Sequence, residues 1–291
     1  MYKIVILGVE NSHATHFLSM LADGRYPDIE AVGVYSEEAD ASERLHDKFG
    51  VKMMRSYDEA AGAVDGVMIT ARHGKHHYEY AKPYLSSGIP MFIDKPITCD
   101  GEEAYAFMRE AKEHHVRLCG GSVCASLPEA KELASYVRDA SEGEIVGGNL
   151  CCPIQMKSVY GGFYFYAQHL VQIMTTVFGG DVESVCAGGN GDQMSFLARY
   201  ASYDVSGTFA GLSRSYYHVS VFGKKEAQSR LLSFDNSSFA LEIDDMRALL
   251  RGEAMKTSYD EFIRPVFIMN AMMRSAASGA WEKVEPKLLG F

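Results

Sequence analysis

The residue types that could do chemistry gather in a few places along the 291 residues. Lys95 closes the apolar run Met91-Phe92-Ile93 behind Asp94, and Pro96 follows it directly. A short apolar run after Gly88 reads as a buried parallel strand, and ligands collect at the ends of such strands in open α/β sheets. The Pro96 ring bars Lys95 from the α region. The ammonium should therefore project from the strand end, where it can stabilise negative charge developing on a reacting oxygen. His169 sits in an aromatic helical stretch with Tyr166 three residues earlier on nearly the same face. Such an imidazole can move a proton, or it can be a hydrogen-bonded core residue. Tyr160, Phe163, Tyr164 and Tyr166 could stack on the apolar faces of a ring-shaped ligand, or serve as core or dimer contacts. Gln155 and Lys157 follow a strand and could contact a polar substrate.

Two histidine groups invite a metal reading. In His73-Gly74-Lys75-His76-His77 two imidazoles are adjacent, with no cysteine close and Glu79 the nearest acid, while His13 and His16 share a helix with Glu10 on another face. Cys119 and Cys124 are five apart rather than in a zinc-type pair. No metal is expected at any of them. The six cysteines include no CxxC pair and suit reduced, mostly buried thiols.

The elements that must position these residues alternate at first. Strand-like runs at 2–7, 29–35, 64–70, 90–94 and 116–119 are separated by helical spacing at 13–22, 39–49, 77–87 and 101–114. That is the pattern of a doubly wound parallel sheet. After Gly120-Gly121 the pattern changes. A helix at 127–138, a strand at 145–152 and a helix at 165–178 precede strand-like stretches at 182–187, 194–203, 205–212 and 216–222, which reads as a mostly antiparallel sheet. Two final helices, 239–251 and 258–278, carry apolar faces. The expectation is α/β: a Rossmann-type domain over 1–121 and an α+β substrate and dimerisation domain with a large open sheet over 122–291. The last helix could pack back on the first domain.

Composition narrows the partners. With 28 basic against 38 acidic side chains the formal charge is -10, which argues against general binding of nucleic acid or anionic membrane. No stretch has signal-peptide or membrane-spanning character. A cytoplasmic protein acting on a small molecule is expected.

In their order along the chain, the strand-turn-helix start, Asp94-Lys95-Pro96, the histidine-bearing helix after Gly161-Gly162, Arg251-Gly252-Glu253 and the stretch Ser275-Ala276-Ala277-Ser278-Gly279 resemble the glucose-fructose oxidoreductase, inositol dehydrogenase and rhizopine-catabolism (Gfo/Idh/MocA) family. Asp94-Lys95-Pro96 is similar to that family's Glu-Lys-Pro motif. The resemblance spans nearly the whole chain. It implies a dinucleotide domain, an open-sheet domain that often forms a dimer interface, a homo-oligomer, and hydride transfer to or from a sugar, cyclitol or related hydroxyl-bearing compound. Catalysis then falls to Lys95, His169 and Tyr166. The cofactor would meet Gly8, Asn11, Ser12, His13, Ser36, Thr70, His73, His77, Asp94, Lys95 and Pro96, and the substrate Lys95, Gln155, Lys157, Tyr160, Tyr164 and His169.

The sequence also departs from the family. The glycine turn reads Gly8-Val9-Glu10-Asn11-Ser12-His13, with a carboxylate at the second glycine position, where it would oppose a pyrophosphate by charge and bulk. Ser36 stands where an acid often holds the ribose 2'-hydroxyl, and Glu37 and Glu38 after it favour NAD over NADP. Phe165 occupies the place of the family's catalytic acid, four residues before His169; Tyr166 is the candidate replacement, the alternatives being Tyr164 or no replacement at all. Two other readings remain open: a binding or regulatory module that kept this shell without dinucleotide chemistry, and NAD-dependent glycoside cleavage.

Overall fold

The computed structural model describes residues 1–141, 143–213 and 216–290. Its first half is a five-stranded parallel sheet built from β1 (Tyr2–Leu7), β2 (Ile29–Tyr35), β3 (Gly66–Ile69), β4 (Met91–Asp94) and β5 (Leu118–Gly121), in the order β2-β1-β3-β4-β5. Helices α1 (Ser12–Ala22), α2 (Ala39–Phe49), α3 (Lys75–Leu85) and α4 (Gly101–Glu113) supply the crossovers. Covered on both faces, β3 and β4 are buried along their whole length, which is why they read as unbroken apolar runs. The strand order reverses beside β1, so the carboxyl edges of β1 and β3 open a crevice there.

Helix α5 (Pro128–Asp139) leads into a seven-stranded sheet of β6 (Ile145–Pro153), β7 (Ser184–Gly189), β8 (Met194–Arg199), β9 (Asp204–Ala210), β10 (His218–Gly223), β11 (Ala227–Leu231) and β12 (Glu282–Lys283). All its pairings are antiparallel except β6 with β9. The long connection between those two strands includes α6 (Tyr164–Phe178), whose Phe178 packs over Gly148 so closely that a Cβ there would lie 2.2 Å from the ring. Strands β11 and β12 had no counterpart in the sequence reading. The first alternates between exposed and half-buried, and the second is two residues long, so neither carries an apolar signal.

Both C-terminal helices return to the first half of the chain. Helix α8 (Tyr259–Ser278) packs on α4, and Asn270 Oδ1 accepts from the Gly101 amide at 2.9 Å. Helix α7 (Ala240–Leu250) packs on β4 and β5. Its Arg247, with Arg251 beyond its end, bonds Asp28, whose carboxyl is held down to about 2, chiefly by the Arg247 hydrogen bond. The return of α7 was not foreseen, and it brings Glu242 to the carboxyl edge.

Candidate active site

The turn between β1 and α1 is tight. Gly8 has φ +77°, and a Cβ on it would lie 2.4 Å from the Ala71 Cα. Asn11 caps α1 by accepting from the amides of His13 (2.9 Å) and Ala14 (3.4 Å), while its Nδ2 donates to the Thr70 carbonyl. Thr70 Oγ1 donates to the Gly8 carbonyl at 2.9 Å, and His77 Nε2 lies 2.8 Å from the Ala71 carbonyl. Thr70 and His77 are buried and brace the turn from behind. Glu10 does not lie along the helix axis. Its carboxylate accepts from Ser36 Oγ at 2.9 Å and from the Arg72 amide at 2.8 Å, which places it across the ends of β2 and β3.

At the end of β4, Asp94 Oδ1 accepts from the Lys95 amide at 2.7 Å, and the Lys95-Pro96 bond is cis. The Lys95 side chain is 6% exposed, with Nζ 5.1 Å from the centre of the Phe165 ring. A relay of hydrogen bonds then ties this loop to α6 and β5. The Ile97 amide donates to Gln168 Oε1 (2.9 Å), Gln168 Nε2 donates to Gln172 Oε1 (3.1 Å), and that oxygen also accepts from the Ser122 amide (2.8 Å). Ser122 Oγ is 2.7 Å from His169 Nδ1. Burial, reinforced by the Lys95 charge, pushes the His169 imidazole well below its ordinary pKa, so the ring is neutral near pH 7. The rings of Tyr166 and Tyr217 lie 5.4 and 5.7 Å from it.

These groups border a cavity of about 390 Å³ between the two sheets. Of the residues singled out in the sequence, Asn11, Ser12, His13, Lys95, Gln155, Tyr160, Tyr166 and His169 line it. Gly8, Thr70, His77, Asp94 and Pro96 stand behind that lining, and Ser36 holds Glu10. His73 accepts from the Lys75 amide, and its ring stands next to Gly161. The Tyr164 hydroxyl accepts from Asn270 at 3.0 Å, away from the cavity. Lys157 pairs with Asp192 at 2.6 Å and its side chain is 78% exposed. The sequence reading missed Arg72, Ser122, Gln168 and Glu242. Arg72 Nη1 donates to the Tyr160 hydroxyl at 2.8 Å, within the cavity wall. Glu242 did carry a signal: it lies four residues before Met246 and seven before Leu249, an acid on the apolar stripe of its helix.

Residues 2–122 match a family of oxidoreductases with an NAD-binding Rossmann fold, Gfo/Idh/MocA. The matched stretch is less than half of the chain. The chain is also 29% identical over 111 residues to the UDP-N-acetylglucosamine 3-dehydrogenase of Acidithiobacillus ferrooxidans. That match spans 38% of this chain and only 34% of the relative's length. Solved structures extend the likeness of fold to the whole chain. A myo-inositol dehydrogenase from Corynebacterium glutamicum superposes with a TM-score of 0.79 at 17% identity, covering 99% of this chain and 100% of the other. The WlbA dehydrogenase from Bordetella pertussis, solved with NADH and UDP-GlcNAcA, gives 0.82 at 16% identity and covers 98% and 99%.

Proposed function

We propose that the chain is an NAD-dependent dehydrogenase acting on a hydroxyl group of a sugar, cyclitol or related polar small molecule. The observation that carries this reading is the convergence of Lys95, His169 and the N-terminus of α1 on one cavity at the carboxyl edge of the parallel sheet.

The residues present fit the dinucleotide. Gly8 gives the close turn, Asn11 caps α1, and the helix has no acid in its first turn, so its amide end can face a pyrophosphate. Glu10, held by Ser36, puts a carboxylate at the end of β2, where a Rossmann acid accepts from ribose hydroxyls and repels a 2'-phosphate. The group that the sequence sets against the cofactor thus stands in for the missing acid. A bound nicotinamide would supply the acceptor for hydride from the carbinol carbon, the hydroxyl proton being left to the chain's own base.

The chain's own residues do the rest. Lys95 hydrogen-bonds the reacting oxygen, and its charge stabilises the developing alkoxide in a site shielded from water. His169, neutral and oriented through Nδ1 by Ser122, takes the proton at its other ring nitrogen. Tyr166 stands beside it as the relay in place of the acid that Phe165 replaces, and Tyr160, Gln155 and Arg72 orient the substrate's other polar groups. In this reading the chain divides at 121/122, forms a homo-oligomer and works in the cytoplasm. Among the described residues no helix is long and apolar enough to cross a membrane.

The test is a titration of the purified protein with NAD, NADH, NADP and NADPH, followed by nicotinamide fluorescence and calorimetry. Micromolar binding of NAD(H) is expected, and a screen of sugars and cyclitols should then find net NADH formation. Failure of all four nucleotides to bind overturns the reading. Release of sugar without net NADH would point to glycoside cleavage instead.

A further inference from the structure

Three ionisable side chains from distant parts of the sequence meet where His13 on α1 lines the cavity, with Asp94 at the end of β4 and Glu242 on α7 behind it. His13 Nδ1 is 3.0 Å from Asp94 Oδ2 and 4.0 Å from Glu242 Oε2, and one ligand atom from each residue lies within 4.8 Å of the others. Asp94 is fully buried and Glu242 is 4% exposed. Asp94 is partly provided for, since Oδ1 accepts from the Lys95 amide while Oδ2 faces His13 and Asn11 Nδ2. Glu242 is not: both of its carboxylate oxygens are buried with no hydrogen-bond partner among the described residues. Lys95 reaches it through its charge alone, without a hydrogen bond, its ammonium lying over the Phe165 ring. Two carboxylates buried side by side are costly unless a cation or a proton lies between them.

We propose that His13 Nδ1, Asp94 and Glu242 are the three protein ligands of a divalent cation, of the zinc or manganese class, whose remaining coordination positions open into the cavity. One imidazole nitrogen with two carboxylates is a donor set for Zn²⁺ or Mn²⁺ rather than for calcium, which takes oxygen alone. Ligand atoms about 2.0–2.2 Å from a metal lie about 3–3.5 Å from one another. His13 and Asp94 already stand at that separation, and Glu242, with the set spread within 4.8 Å, would have to move inward. The His13 ring is already held by Phe239 at 4.6 Å and Phe17 at 6.2 Å, and Asn11 reaches Asp94 from outside the ligand set, as outer partners of metal ligands do. Three protein ligands with open positions is the arrangement of a catalytic rather than a structural metal. His13 and Lys95 line the same cavity, so a metal there would polarise a substrate oxygen beside the ammonium.

The experiment needs no nucleotide. The full chain, freed of metal by a chelator, is titrated with ZnCl₂ and with MnCl₂ by calorimetry, and its metal content is measured after dialysis. Glu242→Gln, which keeps the side-chain volume, and His13→Asn are treated alike, with melting curves to establish that each is folded. One equivalent bound by the natural chain, with affinity at least a hundredfold weaker in both variants, is expected. No binding by the natural chain below millimolar metal overturns the proposal and leaves Glu242 as a buried neutral acid. One equivalent retained undiminished in both variants also overturns it, by placing the metal elsewhere. Nucleotide binding without metal binding would defeat this inference and spare the dehydrogenase reading, and metal binding without nucleotide binding would do the reverse.

Discussion

The two flanks of the cavity treat buried polarity in opposite ways. On the Lys95 and His169 side, the Ile97 amide, Gln168, Gln172, Ser122 and His169 form a continuous hydrogen-bonded chain from the β4 loop through α6 to β5. On the His13 side, Glu242 is buried near Asp94 with neither oxygen hydrogen-bonded among the described residues, His13 Nδ1 standing 4.0 Å away. A satisfied network fixes geometry, whereas an unpaired buried acid marks a place whose partner comes from outside the chain. In the proposed reaction the first flank holds Lys95 and His169 at set positions, and in the proposed metal site the second receives a cation.

Substitutions on the first flank should have the largest effects. Lys95→Met should cut turnover on the order of a thousandfold, because it removes the charge facing the developing oxyanion. The fold should survive, which circular dichroism and a melting curve would check, and near-normal turnover would refute the role. Gln168→Leu should cost about 2 kcal/mol in urea unfolding, since it leaves the Ile97 amide buried without its acceptor. If the relay positions His169, the same variant should lower kcat more than it raises KM. An unchanged urea midpoint would show that the network is not what orders this flank.

His77 offers a pH test on the brace behind the turn. Burial lowers its pKa in the folded chain, so below pH 6.5 the unfolded state binds the proton that the native state refuses, and stability falls as the pH falls. The slope for this one group is about 1.4 kcal/mol per pH unit. Urea midpoints of the natural chain and of His77→Gln, compared between pH 7.5 and 5, should diverge by that slope. Parallel curves would mean that His77 is protonated in place. Glu10→Gln should raise NADPH affinity relative to NADH on the order of tenfold, by removing the carboxylate a 2'-phosphate would meet, and fluorescence titration would measure it. An unaltered ratio would remove Glu10 from the ribose site. The smallest effect is expected of Lys157→Ala. Its exposed pair with Asp192 should be worth less than about 1 kcal/mol, and KM for substrate should not move. A several-fold rise in KM would restore Lys157 to the substrate site.

Much of the first flank was legible without coordinates. Pro96 after Lys95 reads locally as a strand end, and the spacing of the 165–178 stretch sets His169 on a helix because periodicity records which side is buried. The edge strands β11 and β12 escaped because strand reading depends on an apolar face, which they lack. The turn was half legible. Glu10 stands at a glycine position in the sequence, but its direction is set by Ser36 and the Arg72 amide, which lie 26 and 62 residues away.

By itself the sequence determined the alternating parallel half, the change to an open sheet after residue 121, and the two residue types at the centre of the proposed chemistry. These follow from local steric rules and from burial periodicity, which act over a few residues. Only the tertiary structure decided that α7 folds back on β4 and β5, and so that Glu242 meets Asp94 and His13. That meeting joins positions up to 229 residues apart through packing of apolar faces, which fixes which helix covers a strand end but leaves no local pattern in the chain.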